Sequence, residues 1–197
     1  TLPESGKFVR SDGSEVSVVT FESFLELADK VSDEELQERQ ALVQPGHCCA
    51  LIYTSGTTGK PKGAMLSNNN LLCNVEAVMA ELELNSEDRM ACLLPMFHSF
   101  SMTVCVLLPM TQGLSVVAIR SLHPPKNIVA EIMQHQATVL PAIPQLYRAL
   151  ANTKLPPDLP LRVCCSGAAP LPLEVLKAFN ENVGIPLLEG YGLSETS

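Results

Sequence analysis

"YTSGTTGKPKG", Tyr53 to Gly63, places three glycines, four serine or threonine hydroxyls and two lysines in eleven positions, directly after the apolar run Cys48 to Tyr53. Glycine lets a backbone come close to a ligand, exposed N–H groups and hydroxyls donate hydrogen bonds, and lysine supplies positive charge. A buried strand running into such a loop is the pattern of a phosphate cradle. The P-loop template GxxxxGK[ST] does not fit it. Only two residues separate Gly56 from Gly59, and Pro61 follows Lys60, so the hydroxyl that usually meets magnesium is missing. A plain surface turn is disfavoured by the length of the stretch and by its two lysines. The stretch therefore predicts an anion-binding loop of another kind.

The flanking sequence sets the fold class. "HCCALIY" (His47 to Tyr53) reads as a buried strand. Ser67 can cap a helix whose apolar positions Leu71, Leu72, Val75, Val78, Met79 and Leu82 follow a 3.6-residue period. "RMACLLP" and "LSVVAI" read as strands, with an apolar helical stretch between them from about Met102 to Leu108. Then follow "PKNIVAEIMQHQ" as a helix, "ATVLP" as a strand and "IPQLYRALAN" as a helix. "LRVCCS" is a strand and "LPLEVLKAFNEN" a helix, with "LPPDLP" a rigid connector before them. Near-continuous apolar strands separated by amphipathic helices predict an α/β fold: a layered, largely parallel sheet with helices on both faces. Residues 1–45 differ. They form an acidic approach segment, with "RSDGSE" as a turn between extended pieces and two short helices, the second opening at Ser32 with Glu35 three residues on. Residues 46–197 form the main domain.

Composition removes several classes of function. The chain of 197 residues is 46% hydrophobic, enough for a core, and contains no apolar run near the roughly 20 residues of a membrane span. The net charge of −8 argues against nucleic acid, whose binding rests on neutralising phosphates. Ten of the 21 acidic residues fall in residues 1–45, against four basic ones, a solvated surface. Seven cysteines include two adjacent pairs, Cys48-Cys49 and Cys164-Cys165, and strand neighbours point to opposite faces. With no CxxC and four scattered histidines, they read as reduced core cysteines of a cytoplasmic protein.

"YTSGTTGKPKG" closely resembles the signature loop of the adenylate-forming (AMP-binding) superfamily, which includes acyl-CoA synthetases, peptide-synthetase adenylation domains and luciferases. Three more stretches resemble that family's motifs in the right order: "LPMFHSF" (Leu94 to Phe100), "SGAAPL" (Ser166 to Leu171) and "EGYGLSET" (Glu189 to Thr196). The wording "CCSGAAPLPLEVLKAF" and "LLEGYGLSET" is most similar to bacterial-type fatty acyl-CoA synthetases, the long-chain fatty acid–CoA ligases. The resemblance implies that a carboxylate joins the α-phosphorus of ATP, giving acyl-AMP, and that the thiol of coenzyme A then displaces AMP. A carboxylic acid with a pKa near 4 is already ionised at neutral pH, so no base is needed. The obstacle is repulsion between anions, roughly 4 kcal/mol for unit charges about 4 Å apart at an effective dielectric of 20. Cations and fixed dipoles must offset it.

By resemblance, Thr54, Ser55, Gly56, Thr57, Thr58, Gly59 and Lys60 hold the β- and γ-phosphates. Lys60 and Lys62 carry charge, and Pro61 stiffens the loop. Tyr191 stacks on adenine beside Gly192, and Ser194, where the family usually has Thr, reaches the α-phosphate. Glu195, with Thr54, takes Mg²⁺ as a hard oxygen ligand. Gly167, Ala168 and Ala169 let adenine and the acyl chain approach closely, and His98 lines the junction of the carboxylate with the thiol path. Lys60, His98 and Glu195 are thus the expected catalytic residues. The family's ribose-binding Asp and the bridging Lys of its small C-terminal domain have no match in the sequence, so the 197 residues read as a piece of the large domain, inactive alone. An aryl or amino acid substrate, or a non-catalytic nucleotide-binding role, stays open. So do a peripheral membrane contact and the oligomeric state.

Overall fold

Alternating strands and amphipathic helices build the larger part of the chain, and the computed structural model describes residues 6–55 and 59–197, without the side chain of Phe8. Two compact units divide at the Gln44–Pro45 junction.

In the first unit, β1 (Gly6–Val9) and β2 (Glu15–Val18) form an antiparallel hairpin. Its turn needs Gly13 at φ 84° and is closed by Asp12, whose carboxylate accepts from the Ser14 N–H at 2.9 Å and the Ser14 hydroxyl at 2.6 Å. Helix α1 (Phe21–Leu25) starts at Thr20, whose hydroxyl accepts from the Ser23 N–H. Helix α2 (Asp33–Ala41) starts at Ser32, which accepts from the Glu35 N–H. Neither helix buries a residue.

The second unit begins with a hairpin of β3 (Cys48–Thr54) and β4 (Lys62–Ser67), paired antiparallel up to Thr54 opposite Lys62. This corrects the expectation of a buried strand. Among the described residues β3 pairs only with β4, and Leu51 and Tyr53 stand 58% and 72% exposed. Ser67 then caps α3 (Asn68–Glu81) in a reciprocal box: its hydroxyl accepts from the Asn70 N–H, and the Asn70 side chain accepts from the Ser67 N–H at 3.0 Å.

Five strands form the sheet in the order β6 (Ser115–Ala118), β5 (Arg89–Cys92), β7 (Val139–Ala142), β8 (Val163–Ser166), β9 (Leu187–Glu189), all parallel. Because successive side chains point to opposite faces, each strand contributes to two cores. Ala91, Val117, Leu140 and Cys164 pack beneath α6 (Pro125–His135), α7 (Pro144–Ala151) and α8 (Leu173–Val183). Met90, Cys92, Val139 and Val163 pack on the other face against α3 and a continuous helical segment. That segment runs through α4 (Ser99–Ser101), a π-helical stretch at Met102–Leu107 and α5 (Leu108–Gln112). Each fully buried Leu, Ile, Val or Phe adds roughly 1.5–3 kcal/mol. Tyr147 is buried with its edge against the Phe179 ring, centroids 5.0 Å apart, and its hydroxyl donates to the Leu140 carbonyl and, at 3.3 Å, to that of Cys165. One donor thereby ties β7 to β8.

The expectation of core cysteines holds only in part. Cys92, Cys105 and Cys164 are buried, Cys165 is half-buried, and Cys48, Cys49 and Cys73 are exposed; all seven are free thiols. Burial pushes the thiols of Cys105 and Cys164 up to about 12.

At the amino ends of the strands sits an ionic clamp. Buried Asp88 accepts from Arg162 Nε at 2.7 Å and from a second Arg162 nitrogen, from the Thr138 hydroxyl at 2.7 Å and from the Asn85 N–H at 2.8 Å. Burial alone would raise this carboxyl, but the bonds from Arg162, Asn85 and Thr138 outweigh it and hold Asp88 below its ordinary value. The carboxyl ends are left to the loops.

Candidate active site

In a parallel sheet the carboxyl ends of the strands open where neighbouring connections run in opposite directions. Here β5 leads to β6 on one side while β7 lies on the other, so the sheet divides between β5 and β7. A cavity of about 730 Å³ opens at these carboxyl ends, on the sheet face that carries α3 and the π-helical stretch.

The segment after β5 supplies His98 and, from α4, Ser99 and Phe100 to the cavity, the loop after β8 Gly167 and Ala168, and the segment after β9 Gly190 through Ser194. Six of the expected site residues, His98, Gly167, Ala168, Tyr191, Gly192 and Ser194, thus come from three separate strand ends into one space. Close approaches hold them there. A β-carbon on Gly167 would lie 2.9 Å from the tip of the Phe100 ring, and one on Gly190 3.3 Å from Cys165 Sγ. The Gly167 N–H donates to the Ala142 carbonyl at 3.0 Å and the Gly190 N–H to that of Ser166 at 2.7 Å, prolonging the ladders past the strands. Ala168 takes the left-handed conformation at φ 65°, uncommon for a residue with a β-carbon. Such strain persists only where the surroundings impose it, and it gathers at ligand sites.

Further bonds join the loops. Glu189 Oε1 accepts from the Leu171 N–H at 2.9 Å, linking the end of β9 to the loop after β8. The Ser99 and Ser194 hydroxyls lie 3.4 Å apart. Tyr191 is 90% exposed, so its ring offers a free flat face at the rim. His98 stands exposed at the start of α4, its carbonyl accepting from the Met102 N–H at 2.8 Å.

Other expected residues lie outside this cavity. Ala169 is half-buried in the loop after β8 and does not line it. Thr54 ends β3, while Ser55, Gly59 and Lys60 are exposed at the tip of the hairpin, with Gly59 at φ 79°. Gly56, Thr57 and Thr58 lie outside the described residues. The hairpin packs against the short 3₁₀ turn Ser194–Thr196, which bears the exposed Glu195. Glu195 forms no ion pair among the described residues, and these residues contain no cluster of three or more His, Cys, Asp or Glu able to hold a metal ion. A single hard carboxylate suits a cation that arrives on phosphates and keeps its waters, as magnesium does.

Sequence reasoning missed the cavity's walls. Pro141, Cys165 and Leu188 stand side by side in register on β7, β8 and β9, and Met90 and Val139 pair in the same way on β5 and β7. One signal was available: Cys165 and Leu188 each precede a motif glycine, Gly167 and Gly190, by one strand period of two residues.

A family model described as AMP-binding enzyme matches residues 4–197. A long-chain-fatty-acid–CoA ligase of Bacillus subtilis is 33% identical over 165 residues, covering 79% of this chain and 29% of the relative. A feruloyl-CoA synthase of an Amycolatopsis species is 32% identical over 152 residues, 76% of this chain and 30% of the relative. Among solved structures, ATP-bound MatB from Rhodopseudomonas palustris superposes with a TM-score of 0.69 at 25% identity, over 95% of this chain and 35% of that one. The chain spans about a third of the length of the proteins it matches.

Proposed function

The chain belongs to the AMP-binding enzyme family, and we propose that the whole protein joins a fatty acid to the α-phosphorus of ATP and passes the acyl group to coenzyme A. One observation carries the reading: loops from three parallel strand ends bring His98, Gly167, Ala168, Tyr191, Gly192 and Ser194 around one cavity. The exposed Tyr191 ring stacks on adenine. Gly167 lets the Phe100 ring close against the loop after β8, small Ala168 leaves room for adenine and the acyl chain, and the Ser194 hydroxyl reaches the α-phosphate. Thr54, Ser55, Gly59 and Lys60 at the hairpin, with the motif residues Gly56, Thr57 and Thr58, bind the β- and γ-phosphates, and the Lys60 ammonium draws charge from the departing pyrophosphate. His98 orients the carboxylate beside the path of the incoming thiol without taking a proton, because the acid is already ionised. Glu195, with Thr54, would hold Mg²⁺ as oxygen ligands. The ion supplies positive charge that lowers the repulsion between carboxylate and phosphate.

The relative that acts on long-chain fatty acids supports the choice of substrate; the feruloyl-CoA synthase, almost as similar, favours an aryl acid as the second reading. Seven free thiols support a cytoplasmic location. No helix among the described residues is long and apolar enough to cross a membrane. The deciding experiment is exchange of labelled pyrophosphate into ATP by the whole protein, with saturated fatty acids, aryl acids and amino acids offered in parallel. Fatty acids should drive the fastest exchange. Exchange with aryl acids alone would move the assignment to the second reading, and exchange with no acid would end the adenylation assignment.

A further inference from the structure

We propose that Met90 and Val139 form the floor of the acyl slot and set the length of chain the protein accepts, an inference that rests on the fatty acid reading above. The cavity wall on the sheet side has two rows. The upper row is Pro141, Cys165 and Leu188, in register across β7, β8 and β9. The lower row pairs Met90 with Val139 across β5 and β7. Val139 stands two positions before Pro141 along β7, so the lower row lies about 6.6 Å deeper, toward the strands' amino ends.

Depth changes the chemistry of the cavity. Its rim carries exposed Tyr191 and Gly192, while Glu81, also exposed, lines it next to Leu82 at the end of α3. At the lower row Met90 is 0% and Val139 1% exposed, and the walls beside them are Val78 and Leu82 from α3 and Val104 from the π-helical stretch. Thr103 also lines the cavity, but its hydroxyl oxygen is shielded from solvent and meets no partner among the described residues. That hydroxyl can give or take one hydrogen bond, too little to repay a charged group for its lost hydration. An alkyl tail would lose nothing. The tail therefore enters between α3 and the π-helical stretch and stops at the division of the sheet, where Met90 and Val139 close the way.

The test measures kcat/KM of the whole protein for saturated acids of increasing length. Met90→Ala removes about three side-chain heavy atoms from the floor. It should move the optimum to longer chains, with the ratio of long to short acids rising about tenfold per added methylene accommodated. Val139→Ile adds one methylene, disturbs the fold less, and should move the optimum the other way. If both folded variants keep the wild-type optimum, the floor lies elsewhere and the proposal is overturned. Should Met90→Ala fail to fold, Val139→Ile decides alone: a shift to shorter chains supports the floor, and an unchanged optimum overturns it. A wild-type protein that activates no saturated acid of any length would overturn the fatty acid reading, and the floor with it.

Discussion

Gly167→Ala should damage the active site through a collision with one ring. Gly167 does not have a positive φ, so alanine meets no backbone penalty there, and the whole effect comes from its β-carbon. That carbon would lie 2.9, 3.1 and 3.2 Å from three atoms at the tip of the Phe100 ring. Carbon atoms in contact settle at about 3.5–4.0 Å, so the ring has to retreat by about 0.6 Å or more. Overpacking of this size costs about 1–3 kcal/mol, and the open cavity beside Phe100 gives the ring room, which favours the lower end. A loss of about 1 kcal/mol lowers the unfolding temperature of a domain of this size by about 2–4 °C. The functional cost is larger, because Phe100 lines the space where the acid would lie, and a misplacement near 1 Å can lower a rate about a hundredfold. Thermal unfolding, and adenylate formation by the whole protein, should be measured for Gly167→Ala, Phe100→Leu and the double variant. The smaller side chain should restore much of what Gly167→Ala loses, with a coupling of about 0.5–3 kcal/mol. Strictly additive effects, or a Gly167→Ala protein with wild-type rate and stability, would refute the contact as the cause.

Two further outcomes follow from the charges. Glu195→Gln should lower adenylate formation about a hundredfold, most at limiting magnesium; because Glu195 is exposed, the unfolding free energy should stay within about 0.5 kcal/mol of wild type. Full activity at limiting magnesium would remove Glu195 from the metal. Asp88 is held below its ordinary value of 3.8, so its stabilisation is fully present above that pH and is lost as the pH falls through the lower folded value. Asp88→Asn should therefore cost about 1–2 kcal/mol at pH 7, a figure kept low because the Arg162 side chain is 38% exposed. In chemical denaturation series carried from pH 7 toward pH 3, the gap between wild type and variant should narrow below the ordinary value; a constant gap would show that the charge of Asp88 does not contribute.

Elements with their own internal signal were legible in the sequence. Helices α3, α6, α7 and α8 each repeat apolar residues at helical spacing, and strands β5, β6, β7 and β8 are short apolar runs between them. Strand β4 escaped notice because "KGAMLS" carries Lys and Gly and is held by its pairing with β3 rather than by a core. Strand β9 has three residues, too few to show a period. The burial of β3 was misjudged because an apolar run states a need for cover and does not state that cover is present. In the site, four motifs announced the loops, and the structure gathers residues from three of them around the cavity. The Phe100–Gly167 contact and the Met90–Val139 floor depend on which strands become neighbours, which no local pattern records.

The two-faced sheet gives substitutions on one strand two separate readouts. On β7, Leu140 and Ala142 face the core under α6 to α8, whereas Val139 and Pro141 face the cavity. Odd and even positions of the same four-residue segment therefore answer to different selective pressures. A change at Leu140 is registered only in how much protein survives folding, whereas a change at Val139, buried in the second core and also lining the cavity, is registered there and in the shape of the space a ligand meets. The outer parity therefore serves the scaffold alone, while the cavity-facing parity must satisfy packing and cavity shape with the same side chains, so volume-conserving exchanges there are the ones both demands tolerate.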